Sequence, residues 1–274
     1  MSIPLKGTLV LAGCGKMGGA LLEGWLRAGV PAAQIVALDP KPPNEMVELL
    51  KRHGIRHNPA VAEISNTEAL IVAVKPQVMG DVLPGLAPLQ KSKPVILSIA
   101  AGKAIASFEA AFGKDASIIR AMPNTPAAIG RGITALVGNA NVSPSQMLLA
   151  EALLSSTGEV VRVKNEEQID FVTAVSGSGP AYVFLLAETL AAAGEKLGLP
   201  ADLAMRLARA TVSGSGELLH QSSEPAATLR QNVTSPGGTT YAALQVLMAD
   251  DGMRPLMEKA VAAAAKRAKE LAGN

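Results

Sequence analysis

The chain has 274 residues, long enough to bury one large α/β core or two modest ones without a disulfide or metal staple. Hydrophobic residues make up 49% and charged residues 18%, and the net charge is only +2, which excludes an intrinsically disordered chain and the Lys/Arg excess of a nucleic-acid binder. A single cysteine excludes a disulfide framework within the chain, and the apolar half is unusual in holding 47 alanines but only seven aromatic residues.

In chain order, short apolar runs alternate with helix-length stretches as far as about residue 164. Strands are predicted at Thr8 to Ala12, Ile35 to Leu38, Ala69 to Val74, Pro94 to Ala100, Ser117 to Ala121, Gly132 to Val137 and Glu159 to Val163. Most are continuously apolar, as expected of strands covered on both faces. Helical stretches such as Gly18 to Ala28 and Asn44 to His53 lie between them. The pattern is that of βαβ units in a doubly wound, Rossmann-type parallel sheet.

After Asn165 the strand signals stop. Apolar residues at 182, 185, 186, 190, 193 and 197 mark an amphipathic helix that Gly177-Ser-Gly-Pro180 interrupts early in the stretch Asp170 to Leu197. Further helices are predicted at Ala201 to His220, Thr239 to Ala249 and Arg254 to Leu271. Charge divides in the same way, with 16 basic and 11 acidic residues through 165 and 9 and 12 beyond it. The expectation is an α/β domain at residues 1–164 and an all-α domain at 165–274. The second is Ala-rich and poor in large anchors, so its own core is thin, and burial against another subunit is expected to supply the missing area. The charge-free windows Gly132 to Ala150 and Gln231 to Ala249 carry Asn, Ser, Thr, Pro and Gly, and the short apolar run near Met1 ends in glycines. Neither reads as a membrane span or export signal, and a cytoplasmic location is the expectation.

Directly after the first strand stands Gly13-Cys14-Gly15-Lys16-Met17-Gly18. In a G-x-G-x-x-G loop the first glycine serves a tight turn, the second a close approach of backbone to pyrophosphate, and the third helix packing. A strand before and a helix after make this a dinucleotide-binding signature. Asp39 lies 21 residues beyond Gly18, where a carboxylate bonds a ribose 2′-OH and favours NAD; Lys41 suits a 2′-phosphate and favours NADP. The two signals leave NADH and NADPH both open. The loops Val74-Lys75-Pro76-Gln77, Ser98 to Gly102 (with Ala100) and Arg120 to Pro126 (with Asn124) should close over the cofactor, because ligands bind at the carboxyl ends of such strands.

No metal site is expected: His53 and His57 straddle Gly54 without a third ligand, and His220 stands alone. Cys14 lacks a histidine partner, and no nucleophile elbow occurs. Two uncharged polar loops remain. Thr173-Ala-Val-Ser176-Gly-Ser-Gly-Pro180 precedes one helix, and Val233-Thr-Ser235-Pro-Gly-Gly238-Thr239-Thr240 presents hydroxyls and backbone N–H groups at the start of another, a ready site for a small carboxylate.

Ser235-Pro-Gly-Gly-Thr-Thr240, Gly13-Cys-Gly-Lys-Met-Gly18, Val74-Lys-Pro-Gln77, Met122-Pro-Asn-Thr-Pro126 and Val175-Ser-Gly-Ser-Gly-Pro-Ala-Tyr182 occur in the order and spacing of the pyrroline-5-carboxylate reductase family, which the whole chain resembles. The resemblance implies reduction of 1-pyrroline-5-carboxylate to L-proline with NAD(P)H, the last step of proline biosynthesis. It implies that Ser235, Gly238, Thr239 and Thr240 hold the substrate carboxylate, with Ser176 in the substrate loop and Thr173 beside the imine nitrogen. It also implies homodimers through the helical domain, assembled into decamers of five dimers. Asp39 departs mildly from the family, in which an uncharged polar residue is frequent there. Alternatives are a β-hydroxyacid dehydrogenase, which needs a base such as Lys on the first long helix of the second domain, and a silent dinucleotide-responsive regulator. From Phe171 to Glu195 there is no Lys, Arg or His.

Overall fold

In a computed structural model, which describes residues 3–272, the chain forms an eight-stranded sheet followed by helices. The strands are β1 (Thr8–Ala12), β2 (Ile35–Leu38), β3 (Arg56–His57), β4 (Thr67–Val72), β5 (Val95–Ser98), β6 (Ser117–Met122), β7 (Gly132–Gly138) and β8 (Gly158–Arg162). Their order is β3-β2-β1-β4-β5-β6-β7-β8. The chain reverses its direction of travel across the sheet between β1 and β4, and this reversal opens a crevice at the carboxyl ends of the strands.

Six strands run parallel, connected by α1 (Lys16–Arg27), α2 (Asn44–His53), α3 (Met79–Leu86) and α4 (Ile105–Phe112). β7 then pairs antiparallel with β6, a refinement of the parallel expectation. The link between them holds only a 3₁₀ turn, Thr125–Ile129, too short for a crossover helix, so the chain must double back. α5 (Pro144–Leu154) provides a true crossover, and β8 returns parallel to β7.

Alternation along the strands divides the core into two layers. Leu9, Leu11 and Ile71 face α1 and α5 with Leu21, Leu22 and Trp25, whereas Val10, Val72 and Ile96 face α3 and α4 with Leu83 and Phe108. Trp25, the single tryptophan, is fully buried, and its indole N–H donates to the Leu153 carbonyl at 2.9 Å.

The second half holds α6 (Glu167–Val172), α7 (Gly179–Lys196), α8 (Ala201–Gln221), α9 (Ala226–Asn232), α10 (Thr239–Leu247) and α11 (Met253–Ala272). The predicted interruption at Gly177-Ser-Gly-Pro180 appears as a change of helix type and a bend at Ser178 rather than as a loop. A π turn at Thr173–Gly177 carries the chain from α6 into α7, and Pro180 falls in the first turn of α7, where its missing N–H costs nothing. Taken through the π turn, Glu167–Lys196 is a 30-residue helical stretch with mean hydropathy 1.4 in its most apolar window, long and apolar enough by composition to cross a membrane. Only 17% of that window is buried.

By internal contacts the described residues divide into one unit of residues 3–177 with 264–272 and another of 178–263, so the compact boundary falls 13 residues beyond position 164, and the end of α11 joins the first unit. Within the first unit Lys269 pairs with Glu167 at 2.7 Å, and its ammonium lies 5.1 Å from the centre of the Phe171 ring. The second unit's buried cluster consists of Ala191, Ala204 and Ala208 alone. Phe184, Leu207 and Leu256 are exposed, so its larger apolar side chains lack cover within one chain.

Candidate active site

The glycine loop sits at the carboxyl end of β1, beside β4. Gly13 has φ of 98°, and a Cβ there would approach the backbone of Ala73 to 2.8 Å. At Gly18 a Cβ would collide with the Gly13 carbonyl. These two glycines therefore close the turn and seat the helix. Gly15 is different, because a Cβ there would meet nothing within 4 Å. It is the N-cap of α1 and provides no side-chain cap, so no capping side chain answers the first-turn amides of Lys16, Met17 and Gly18, which carry the positive end of the helix dipole. Residues of this kind fit a pyrophosphate.

Asp39 follows β2 directly and closes on the same loop. One carboxylate oxygen accepts the Cys14 N–H at 2.7 Å and the other the Lys41 N–H at 2.9 Å. Cys14 is fully buried. Burial, reinforced by the Asp39 carboxylate, pushes its thiol up to about 12, so it is neither a nucleophile nor a metal ligand near neutral pH. Lys16, Lys41 and Lys75 are exposed, and Val74 and Pro76 are half-buried at the end of β4, with Pro76 opening a 3₁₀ turn. Ala100 is buried after β5, its N–H directed to the Ser98 hydroxyl at 3.3 Å. Asn124 has a structural duty: its side-chain oxygen accepts the Ile133 N–H at 2.9 Å, fixing where β7 begins.

Thr173 and Ser176 lie on the π turn. Their hydroxyls donate to the carbonyls of Ile169 (2.8 Å) and Val172 (3.1 Å), so each oxygen keeps its capacity to accept. In the other unit, Gly238 is the N-cap of α10 and again no side chain caps the helix. Gly237 has φ of 69°, and a Cβ on Gly238 would press on the Ser235 hydroxyl, so the Pro-Gly-Gly turn brings Ser235 close to the exposed amides of Thr239 and Thr240. Among the described residues no cluster of three or more metal-ligating side chains occurs.

Two features escaped the sequence reading. Arg120, in the middle of the apolar β6, is 2% exposed and pairs with Asp170 at 2.8 Å and Glu166 at 3.1 Å. Glu166 also accepts the Ile105 N–H at 2.8 Å, so strand, α4 and α6 meet at one cation one turn before Thr173. The only local signal was a charged residue inside a buried strand. The second feature is His57-Asn58, which brackets the backbone of Asp39.

An open doubly wound sheet with an uncapped glycine-loop helix is the architecture of dinucleotide-binding proteins. Residues 8–102 match the family model described as NADP oxidoreductase, coenzyme F420-dependent, and residues 166–271 match that of pyrroline-5-carboxylate reductase dimerisation. A pyrroline-5-carboxylate reductase of Pseudomonas aeruginosa is 42% identical over 96% of both chains. Among solved structures, a pyrroline-5-carboxylate reductase from Coxiella burnetii superposes with a TM-score of 0.90 at 34% identity, covering 97% of this chain and 99% of that one. The Plasmodium falciparum pyrroline carboxylate reductase with NADP bound gives 0.81 at 30% identity, covering 99% and 100%. The chain belongs to the pyrroline-5-carboxylate reductase family.

Proposed function

We infer that the chain reduces 1-pyrroline-5-carboxylate to L-proline with NAD(P)H, the closing step of proline biosynthesis. The observation that carries this is the likeness to curated reductases along 96% of both chains. The glycine loop, Asp39 and the loops holding Lys41, Val74, Lys75, Pro76, Ala100 and Asn124 form the proposed cofactor site. The uncapped amides of α10, with Ser235, Gly238, Thr239 and Thr240, form the proposed carboxylate site.

When bound, the reduced nicotinamide supplies a hydride to the C=N carbon of the substrate ring. The protein's task is to hold the ring and meet its charges. A protonated ring nitrogen makes that carbon electrophilic and carries an N–H donor. Thr173 has already given its own hydrogen to Ile169, so it receives this N–H as an acceptor and orients the ring, while the proton comes from solvent before binding. Ser176, bonded in the same sense to Val172, lines the same loop.

The chain assembles as a homo-oligomer, built on a homodimer through the helical domain. The thin alanine core of residues 178–263 and the exposed apolar side chains there support this reading. The further association of five dimers into a decamer, a cytoplasmic location and the absence of membrane contact belong to the same proposal, with the apolar length of Glu167–Lys196 used for subunit burial. Light scattering at micromolar protomer tests the assembly.

Cofactor oxidation at 340 nm dependent on pyrroline-5-carboxylate tests the activity, and failure with both NADH and NADPH would sink it. Thr239→Val should lower kcat/KM about 10- to 100-fold, mainly through KM, for loss of one hydroxyl bond to a carboxylate. Cofactor affinity should stay unchanged.

A further inference from the structure

We propose that Arg120 is a positioning residue for the reduction: its guanidinium forks over two successive turns of α6 and so sets where the Thr173 hydroxyl stands at the end of β6. This rests on the role proposed above for Thr173. Glu166 and Asp170 are four residues apart and share one face of the helix. Arg120 Nη1 donates to Glu166 at 3.1 Å and Nη2 to Asp170 at 2.8 Å. A rigid planar fork that meets two carboxylates one turn apart fixes the rotation of the helix about its axis as well as its height along the strand. Two residues further along β6, on the same face of the strand, Met122 meets the far end of the π turn. A Cβ on Gly177 would come within 2.6 Å of the Met122 methyl group and 3.6 Å of Thr173 Cγ2. Thr173 therefore lies between a polar anchor before it and an apolar stop after it, both supplied by one strand.

Stability does not account for the anchor. Arg120 is almost fully buried, and its Nε–H has no hydrogen-bond partner. An apolar residue here would avoid that desolvation, and buried ion pairs are often no more stable than well-packed apolar replacements. What an apolar contact lacks is direction. It lets two surfaces slide, whereas charged hydrogen bonds hold a single register. The segment that needs a register is a π turn, a form found mostly as single turns within α-helices and frequently at functional sites.

Steady-state kinetics with 1-pyrroline-5-carboxylate at saturating reduced nicotinamide, together with fluorescence titration of the cofactor, test this. Arg120→Met/Asp170→Leu removes the fork without stranding a charge. It should lower kcat about 10- to 100-fold while cofactor Kd stays within about twofold, since a misplacement of about 1 Å suffices for such a loss. Arg120→Lys keeps the cation but cannot fork, and should lower kcat about threefold or more. Thr173→Val separates positioning from support. In that background Arg120→Met/Asp170→Leu should cost at most about threefold, because the group it positions is already gone. Losses that multiply independently of Thr173 would overturn the proposal, as would a folded Arg120→Met/Asp170→Leu protein with kcat within about twofold of the wild type. If that protein does not fold, Arg120→Lys decides, and an undiminished kcat there overturns the proposal. A wild type that oxidises no cofactor with this substrate would instead overturn the functional reading beneath it.

Discussion

Replacing Arg120 with methionine removes the cation at which β6, α4 and α6 converge, and the cost can be worked from the surroundings. The Arg120 and Asp170 side chains are 3% and 10% exposed, whereas Glu166 is 32% exposed and keeps the Ile105 N–H as a partner. Solvent screens the Glu166 contact, which is worth about 1 kcal/mol or less. The Asp170 contact is different, because methionine leaves a buried carboxylate without its cation. Breaking such a pair costs about 3–5 kcal/mol, and we expect about 4 kcal/mol for Arg120→Met. Arg120→Met/Asp170→Leu removes the stranded charge as well, and should recover to within about 1–2 kcal/mol of the wild type. Urea unfolding at fixed protomer concentration, followed by Trp25 fluorescence, measures both. A loss below about 1 kcal/mol in the single variant, or a double variant no more stable than the single, would show that the cluster is not a buried charge pair in its energetics.

Trp25→Phe should cost only about 1–3 kcal/mol, a lost hydrogen bond plus a small cavity, because the Leu153 carbonyl keeps the Ser156 hydroxyl at 2.7 Å; thermal unfolding reads it, and a loss above about 5 kcal/mol would contradict that backup. Cys14, with its thiol pushed up to about 12, should resist iodoacetamide at pH 8 in the native protein and react once denatured, as mass spectrometry would show; rapid native alkylation would refute the burial. The Glu151 carboxyl lies below its ordinary 4.5 through its hydrogen bond from Arg162. Its stabilising contribution is therefore present above pH 4.5 and lost as pH falls through the lowered value. Glu151→Gln should be slightly less stable than wild type at pH 7 and equal to it at strongly acidic pH, and a difference that grew on acidification would have the wrong sign.

Local signals were legible where one residue suffices to dictate them. α2 runs from Asn44 to His53 as predicted, ended by Gly54 with φ of 64° after a basic last turn. β1 and β2 match because both are buried apolar runs closed by a turn. Long-range pairing was not legible. β3 is two exposed residues with no apolar period, and it matters because His57 and Asn58 bond a residue 18 and 19 positions away. Arg120 finds its partners 46 and 50 residues later, for which β6 carries no pattern. At Gly177-Ser-Gly-Pro180 local propensity pointed to an interruption, and the chain meets it with a π turn and a bend at Ser178 before α7 restarts with Pro180 in its first turn. Of the candidate site, the glycine loop could be read from spacing, while the fixed state of Asp39 required the fold.

The first compact unit is discontinuous: residues 3–177 are completed by residues 264–272, where Leu271 lies so close to Gly102 that a Cβ on that glycine would come within 2.8 Å of it. During synthesis the ribosome releases the whole of 178–263 before the nucleotide-binding half can be finished. At about 5–20 residues per second this delay lasts roughly 4–17 s, far longer than the time in which helices form. The inserted helices are therefore complete before the first unit is, and their exposed apolar side chains stay uncovered through that interval.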